Sequence, residues 1–366
     1  MVPIIRENVV SCEGVLAEIS SKLKNLGFIC TCLVVLIHTP PGGGVVDRLV
    51  FQWVSSCWHG ISMIAVPIFF VMSGMFVGAK TSQPDWYRKV VVSRIRTLVI
   101  PFLILNFLAT VFFYAKHLLG LRYFGVTSSA NVFSAYAVLD SLGLLPWGGG
   151  AVLGFWYIKV LFYLILASPL FVSIVRKGNF CTCLYFLILL LLWGLQMKYP
   201  ISNPIYQRHL TLEFSFRSPL YFSIGLWLSL HMDLLLKRIK IGALLLLSGF
   251  SIVALIALFF MGNHDQLLRV FVMFLATISI SIVIWSAVPN SCWPHFLVQN
   301  SFPVFATHGI LLNILGCVSQ RIPAFDNFGN GKMLFIFILT IVIGLLAAKV
   351  LKDQFPKFSA VIFGGR

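Results

Sequence analysis

The chain has 366 residues, of which 59% are hydrophobic and only 10% charged, whereas an ordinary soluble domain is about a quarter charged. A surface this poor in polar groups excludes a water-soluble globular protein and suits the hydrocarbon of a bilayer. The net charge of +16 does not point to nucleic acid, because the basic residues fall in short clusters between apolar runs, as orientation in a membrane requires.

In chain order, residues 1–21 carry Arg6, Glu7, Glu13 and Glu18 and no apolar core, and read as a short cytoplasmic segment rather than a signal peptide. About ten apolar stretches follow, at 25–40, 60–79, 97–118, 154–175, 180–196, 217–235, 241–261, 268–288, 296–316 and 333–351, most of them near the ~17–25 residues that a spanning helix needs. The expected fold is all-α: one polytopic transmembrane bundle of about ten spans, a single domain over 1–366. The longest linker, about 119–153, is irregular and rich in Gly and Ser, and its tail Leu145-Pro146-Trp147-Gly148-Gly149-Gly150 reads as a loop or re-entrant piece. No internal repeat is apparent, which weighs against an inverted-repeat transporter. With the N-terminus inside, 17 of the 27 Lys and Arg fall in inner segments and 9 in outer ones, Lys159 lying within a span. That bias predicts both termini on the cytoplasmic side. Some of the 9 Trp and 10 Tyr belong at the headgroup level.

Most of the eight Cys lie inside apolar runs, and the Cys-Thr-Cys triplets at 30–32 and 181–183 resemble metal motifs. On a helix, residues i and i+2 point about 200° apart and cannot grip one ion. The cysteines read as small buried hydrophobes and no metal is expected. Ionisable groups inside spans default to functional candidates. None of the eleven carboxylates lies deep in a span, which counts against a proton-coupled pump. His38 is either a general base, its imidazole being able to take a proton near neutral pH, or an interfacial histidine satisfied by a carbonyl. His308 presents the same choice. Lys159 is a neutral buried lysine, a snorkelling one, or a ligand for an anion. Arg94 and Arg96, with Arg88 and Lys89, form the densest basic patch. It is either an inside-positive anchor on lipid headgroups or a phosphate-binding entrance, since guanidinium pairs bidentately with phosphate oxygens.

Five segments then carry a resemblance. Leu33-Val34-Val35-Leu36-Ile37-His38-Thr39 is similar to an opening helix that ends in an essential His. Val66-Pro67-Ile68-Phe69-Phe70-Val71-Met72-Ser73-Gly74-Met75-Phe76 is similar to a "VPlFFxxSGf" signature. Arg94-Ile95-Arg96-Thr97-Leu98-Val99-Ile100-Pro101-Phe102 is similar to "RxxrlxiPy", and Phe155-Trp156-Tyr157-Ile158-Lys159-Val160-Leu161 to "lWFlrdL". Asn300-Ser301-Phe302-Pro303-Val304-Phe305-Ala306-Thr307-His308 is similar to "sFxiYxxH", and the chain ends Gly364-Gly365-Arg366. In this order the segments resemble the acyltransferase 3 family of membrane O-acyltransferases, especially its bacterial O-acetyltransferase branch.

The resemblance implies transfer of an acyl group, usually acetyl from acetyl-CoA, to a sugar hydroxyl of a cell-surface polysaccharide or lipid-linked glycan. Acyl-CoA would be a donor substrate and not a resident cofactor. The partners would be the glycan and the lipid bilayer of the inner (plasma) membrane, and no nucleic acid. A sugar hydroxyl is a poor nucleophile that needs a base, and the resemblance assigns that role to His38. It implies that Arg94 and Arg96, with Lys159 and Ser73, bind the CoA donor, and that His308, Trp156 and Lys24 support the site or the acceptor. Two positions depart from the family pattern. Gly27 stands where many members have Arg or Lys, Lys24 being the nearest cation, and Lys159-Val160 replaces Arg-Asp. Lysine keeps the charge without the fork, and Val160 loses the carboxylate. Two other functions fit a chain of this composition: a transporter or flippase for a lipid-linked species, and a non-catalytic factor in glycan assembly.

Overall fold

A backbone in hydrocarbon must satisfy its own hydrogen bonds, and a helix does so within one segment. The computed structural model describes residues 3–39, 62, 64–118, 134–145, 150–152, 154–199, 215–236, 239–261, 265–291, 293–322 and 330–365. Every regular element among them is helical.

Helix α1, Pro3–His38, is continuous over 36 residues. The segment 1–21 thus contributes most of its length to the first helix, for no Pro interrupts the chain between Pro3 and Pro40. The helix stops at His38 because Pro40 follows, and the residue before a proline avoids the helical region. Helix α2 is Ala65–Gly78. Helix α3, Trp86–Arg94, runs through a π-helical stretch, Ile95–Val99, into α4, Ile100–Leu118. Pro101 explains the widened turn, since it has no N–H and its ring crowds the carbonyl four residues back. Short α5, Ala135–Ser141, is capped by Ser134, whose Oγ accepts from the Ala137 amide at 3.1 Å. The rest of the 119–153 linker lies largely outside the described residues.

Helices α6, Trp156–Leu166, and α7, Ser168–Val175, form one bent pair with a 61° break. Pro169 cannot donate to the Ile165 carbonyl, and Ser168 Oγ donates to that carbonyl instead, at 2.6 Å. The remaining helices are α8, Asn179–Lys198, α9, Arg217–Leu230, α10, Asp233–Leu236, and α11, Ile241–Met261. They are followed by α12, Gln266–Ala287, α13, His295–Val298, α14, Ser301–Gln320, α15, Asn330–Gln354, and α16, Pro356–Ile362.

Seven helices among the described residues are long and apolar enough to cross a membrane, and eight if the bent pair counts as one span. The two remaining apolar runs of the sequence, 60–79 and 217–235, contain the 14-residue helices α2 and α9. Each rises about 21 Å, short of a hydrocarbon core about 30 Å thick.

The helices group into two compact units, each described alone. The first comprises 1–30, 63–93 and 160–298. Its α2 and α9 pack backbone to backbone: a Cβ on Gly74 would strike the Phe222 carbonyl, and one on Gly225 the Val71 carbonyl. Small residues of this kind let helices approach where lipid supplies no hydrophobic drive. Trp193 and Leu189 of α8, Leu220 of α9 and Val270 of α12 form a buried cluster. Ser251 of α11 and Ser279 of α12 share a hydrogen bond at 2.8 Å. Fully buried Asn25 of α1 holds the chain at three points after α12, donating to the Pro289 and Ser291 carbonyls at 3.2 and 2.8 Å and accepting from the Trp293 amide at 3.0 Å. Of the cysteines, Cys30 is buried as expected, whereas Cys183 is exposed on α8. The second unit comprises 31–62, 94–159 and 299–366. Helices α14 and α15 pack together in it, and α16 lies on both α15 and α4.

Candidate active site

Most of the residues singled out in the sequence fall in the second unit. His38, half-buried at the C-terminal end of α1, stacks on His308 of α14 with ring centroids 5.3 Å apart and planes 29° apart. His308 is completely buried. Its Nδ1 bonds the Phe305 carbonyl, one turn back. A carbonyl oxygen only accepts, so Nδ1 carries the hydrogen and the lone pair of the neutral ring sits on Nε2. That Nε2 is buried and makes no hydrogen bond.

An aromatic row leads away from the two imidazoles. Phe305 lies 5.8 Å from the His308 ring, Phe155 lies 5.9 Å from Phe305, and Phe102 lies 5.8 Å from Phe155. Lys159 Nζ sits 5.9 Å from the Phe102 ring centre and donates to the Leu145 carbonyl at 2.6 Å. With 9% of its surface exposed, Lys159 is neither a snorkelling lysine nor a bare one. It ties α6 to the loop before it. Gly154 adopts φ +82°, and a Cβ there would lie 3.7 Å from His308 Cε1 and from the Phe305 ring. The glycine is therefore needed for its left-handed backbone, and the loop passes directly over the second histidine.

Asn106 of α4 is a site residue that a search for ionisable groups misses. It is fully buried, its Oδ1 accepts from the Val152 amide at 3.0 Å, and a Cβ on Gly150 would strike its side chain. The signal was present as a lone amide in the apolar run 98–113. A search that counts buried amides as well as charges would have found it.

Arg94 ends α3 and is half-buried, and Arg96 lies exposed in the π-helical turn. Both stand inside one continuous 30-residue helical stretch, Trp86–Ala115, and not at the mouth of a helix beginning near 97. The C-terminal tail docks beside them: Gly364, at φ +66°, lies against the Thr97 main chain, where a Cβ would come within 2.8 Å of Thr97 Cα. Trp156 is half-buried at the start of α6. Ser73 and Lys24 belong to the first unit. Ser73 is half-buried on α2, next to the Gly74 contact, and Lys24 is exposed on α1, 14 residues or about 21 Å along the helix from His38.

Long apolar helices, a stacked pair of imidazoles within them and a basic π-helical turn define a multi-pass membrane protein with polar groups built into its helices. A family model described as an acyltransferase domain, that of the acyltransferase 3 family, matches residues 23–349. The chain belongs to that family and is a membrane acyltransferase. No curated protein and no solved structure gives a significant match.

Proposed function

We propose that the protein moves an acyl group, acetyl in the first instance, from acyl-CoA to a hydroxyl of a cell-surface polysaccharide or lipid-linked glycan. The observation that carries this reading is the stack of half-buried His38 on buried His308. In the reaction the acceptor oxygen attacks the thioester carbonyl, its proton passes to a base, and the CoA thiolate leaves and takes up a proton. His38 is the base, because its exposed part can meet an acceptor. His308 acts on the first ring as a fixed neutral neighbour: its tautomer is set by the Phe305 carbonyl, and like charges on stacked rings would repel.

Arg94 and Arg96 hold the CoA phosphates, as guanidinium geometry favours. Lys159 holds the Leu145 carbonyl ahead of α6, with Trp156 beside it. The span within α1 runs Ile19–His38, so His38 stands about 29 Å from its start, close to the thickness of a hydrocarbon core. With the N-terminus in the cytosol, His38 lies at the outer end of this span, and the acyl group crosses from a cytosolic donor to an outward-facing acceptor in the plasma membrane.

The test is to incubate membranes containing the full chain with acetyl-labelled acetyl-CoA and follow the label. Base-labile label in the glycan fraction, absent when the protein is omitted, is the expected result. Retention of all label in CoA and free acetate, with the protein folded and inserted, would overturn the proposal.

A further inference from the structure

Helix α9 opens with Phe216 as its N-cap, followed by Arg217-Ser218-Pro219, far in sequence from the residues of the candidate active site. Its first amides are all occupied. Phe216 N donates to Gln196 Oε1 at 3.3 Å, Arg217 N to Ser215 Oγ at 3.3 Å, Ser218 N to the Ser215 carbonyl at 3.0 Å and Leu220 N to the Phe216 carbonyl at 3.3 Å. Pro219 has none to give. What remains unsatisfied is a group of side chains. Arg217 is only 9% exposed and its Nε has no hydrogen-bond partner. Ser218 is fully buried and its Oγ has none. Tyr221 is 1% exposed, and its Oη, beside Thr277, makes no well-formed bond. Tyr221 stands three residues after Ser218 and four after Arg217, so it neighbours both on the helix surface. Its ring is fixed by Trp193 at 6.5 Å and Phe274 at 6.0 Å.

Among the described residues no carboxylate pairs with Arg217. Guanidinium stays charged, and a buried charge is normally paired. This one also sits in the first turn of a helix, the positive end of the macrodipole, where a cation is disfavoured and an anion favoured. A permanent cation and two hydroxyls, all short of acceptors, match an oxyanion rich in lone pairs. We propose that Arg217, Ser218 and Tyr221 form a binding site for a phosphate group. It would be supplied either by the headgroup of an anionic lipid or by a free phosphate species.

The test uses the full chain in nanodiscs of two compositions, phosphatidylcholine alone and phosphatidylcholine with phosphatidylglycerol, and thermal unfolding with and without inorganic phosphate. Stabilisation of the wild type by phosphatidylglycerol alone identifies a headgroup, and stabilisation by phosphate in pure phosphatidylcholine identifies a soluble anion. Either supports the site provided that Arg217→Gln weakens the response about tenfold or more, the scale of losing charge-assisted bonds, and that Arg217→Lys falls between. If Arg217→Gln does not fold, the Ser218→Ala, Tyr221→Phe double variant retains the charge and is expected to weaken the response several-fold. A wild type that responds to neither anion, or variants that respond as the wild type does, would overturn the proposal.

Discussion

Replacing His38 by Phe separates the chemistry of the imidazole from its packing. Phenyl keeps a ring over His308, which lies 5.3 Å away in a stacked arrangement, but removes both nitrogens. A positioned general base contributes roughly 10²–10⁴-fold, and at about 1.4 kcal/mol per tenfold this is a loss of about 2.7–5.5 kcal/mol of transition-state stabilisation. His38 is only half-buried, so a ring of similar size should change folding stability by less than about 1 kcal/mol. The assay is the initial rate of labelled acetyl transfer at saturating acetyl-CoA, with the amount of folded protein fixed by size-exclusion and thermal unfolding. A matched His308→Phe variant also loses its bond to Phe305, yet that carbonyl still receives the helix amide four residues on, so this variant should fold and lose less rate than His38→Phe. If His38→Phe transfers acetyl within tenfold of the wild type, His38 is not the base. If His308→Phe is the slower of the two, the roles are reversed.

Four further outcomes follow from particular positions. Gly364→Ala places a methyl against the Thr97 main chain at φ +66°. The left-handed backbone alone costs roughly 1–2 kcal/mol, so the tail should lift from the π-helical turn and the apparent melting temperature should fall by a few degrees. Gly74→Ala drives a methyl into the Phe222 carbonyl and should destabilise the α2–α9 pair by about 1–3 kcal/mol. Gly27→Ala, with nothing within 4 Å of its Cβ, should be neutral or stabilising by up to about 1 kcal/mol, and side-by-side thermal unfolding in one detergent tests the contrast. Arg96→Gln removes an exposed guanidinium and, if Arg96 holds the CoA phosphates as proposed, should raise KM for acetyl-CoA about tenfold with kcat unchanged, as expected for uniform ground-state binding. An unchanged KM would return Arg96 to the role of a headgroup anchor.

How much of this was legible in the residues differs from element to element. The runs at 180–196, 241–261, 268–288 and 333–351 became α8, α11, α12 and α15, because twenty apolar residues in lipid leave the backbone little choice but a helix. The family was equally readable, since its motifs are local strings, and the match over 23–349 bears that out. Hydropathy placed helix ends poorly. It has no measure for the polar but unbroken stretch that lets α1 begin at Pro3, nor for the π-helical turn that carries Arg94 and Arg96 into the middle of a helix.

The sequence alone therefore determined the solvent, the helical class and the family, and singled out the two histidines as candidates, because transfer free energy and motif spacing belong to single segments. Only the tertiary structure decided that His38 and His308, 270 positions apart, share one stack, that Asn106 holds the loop at Val152, and that Lys159 lies at the far end of an aromatic row. Those are contacts between helices. In a bilayer the hydrophobic effect does not choose among helix pairings, so close packing of small residues and a few buried polar bonds choose them, and no single segment contains both partners.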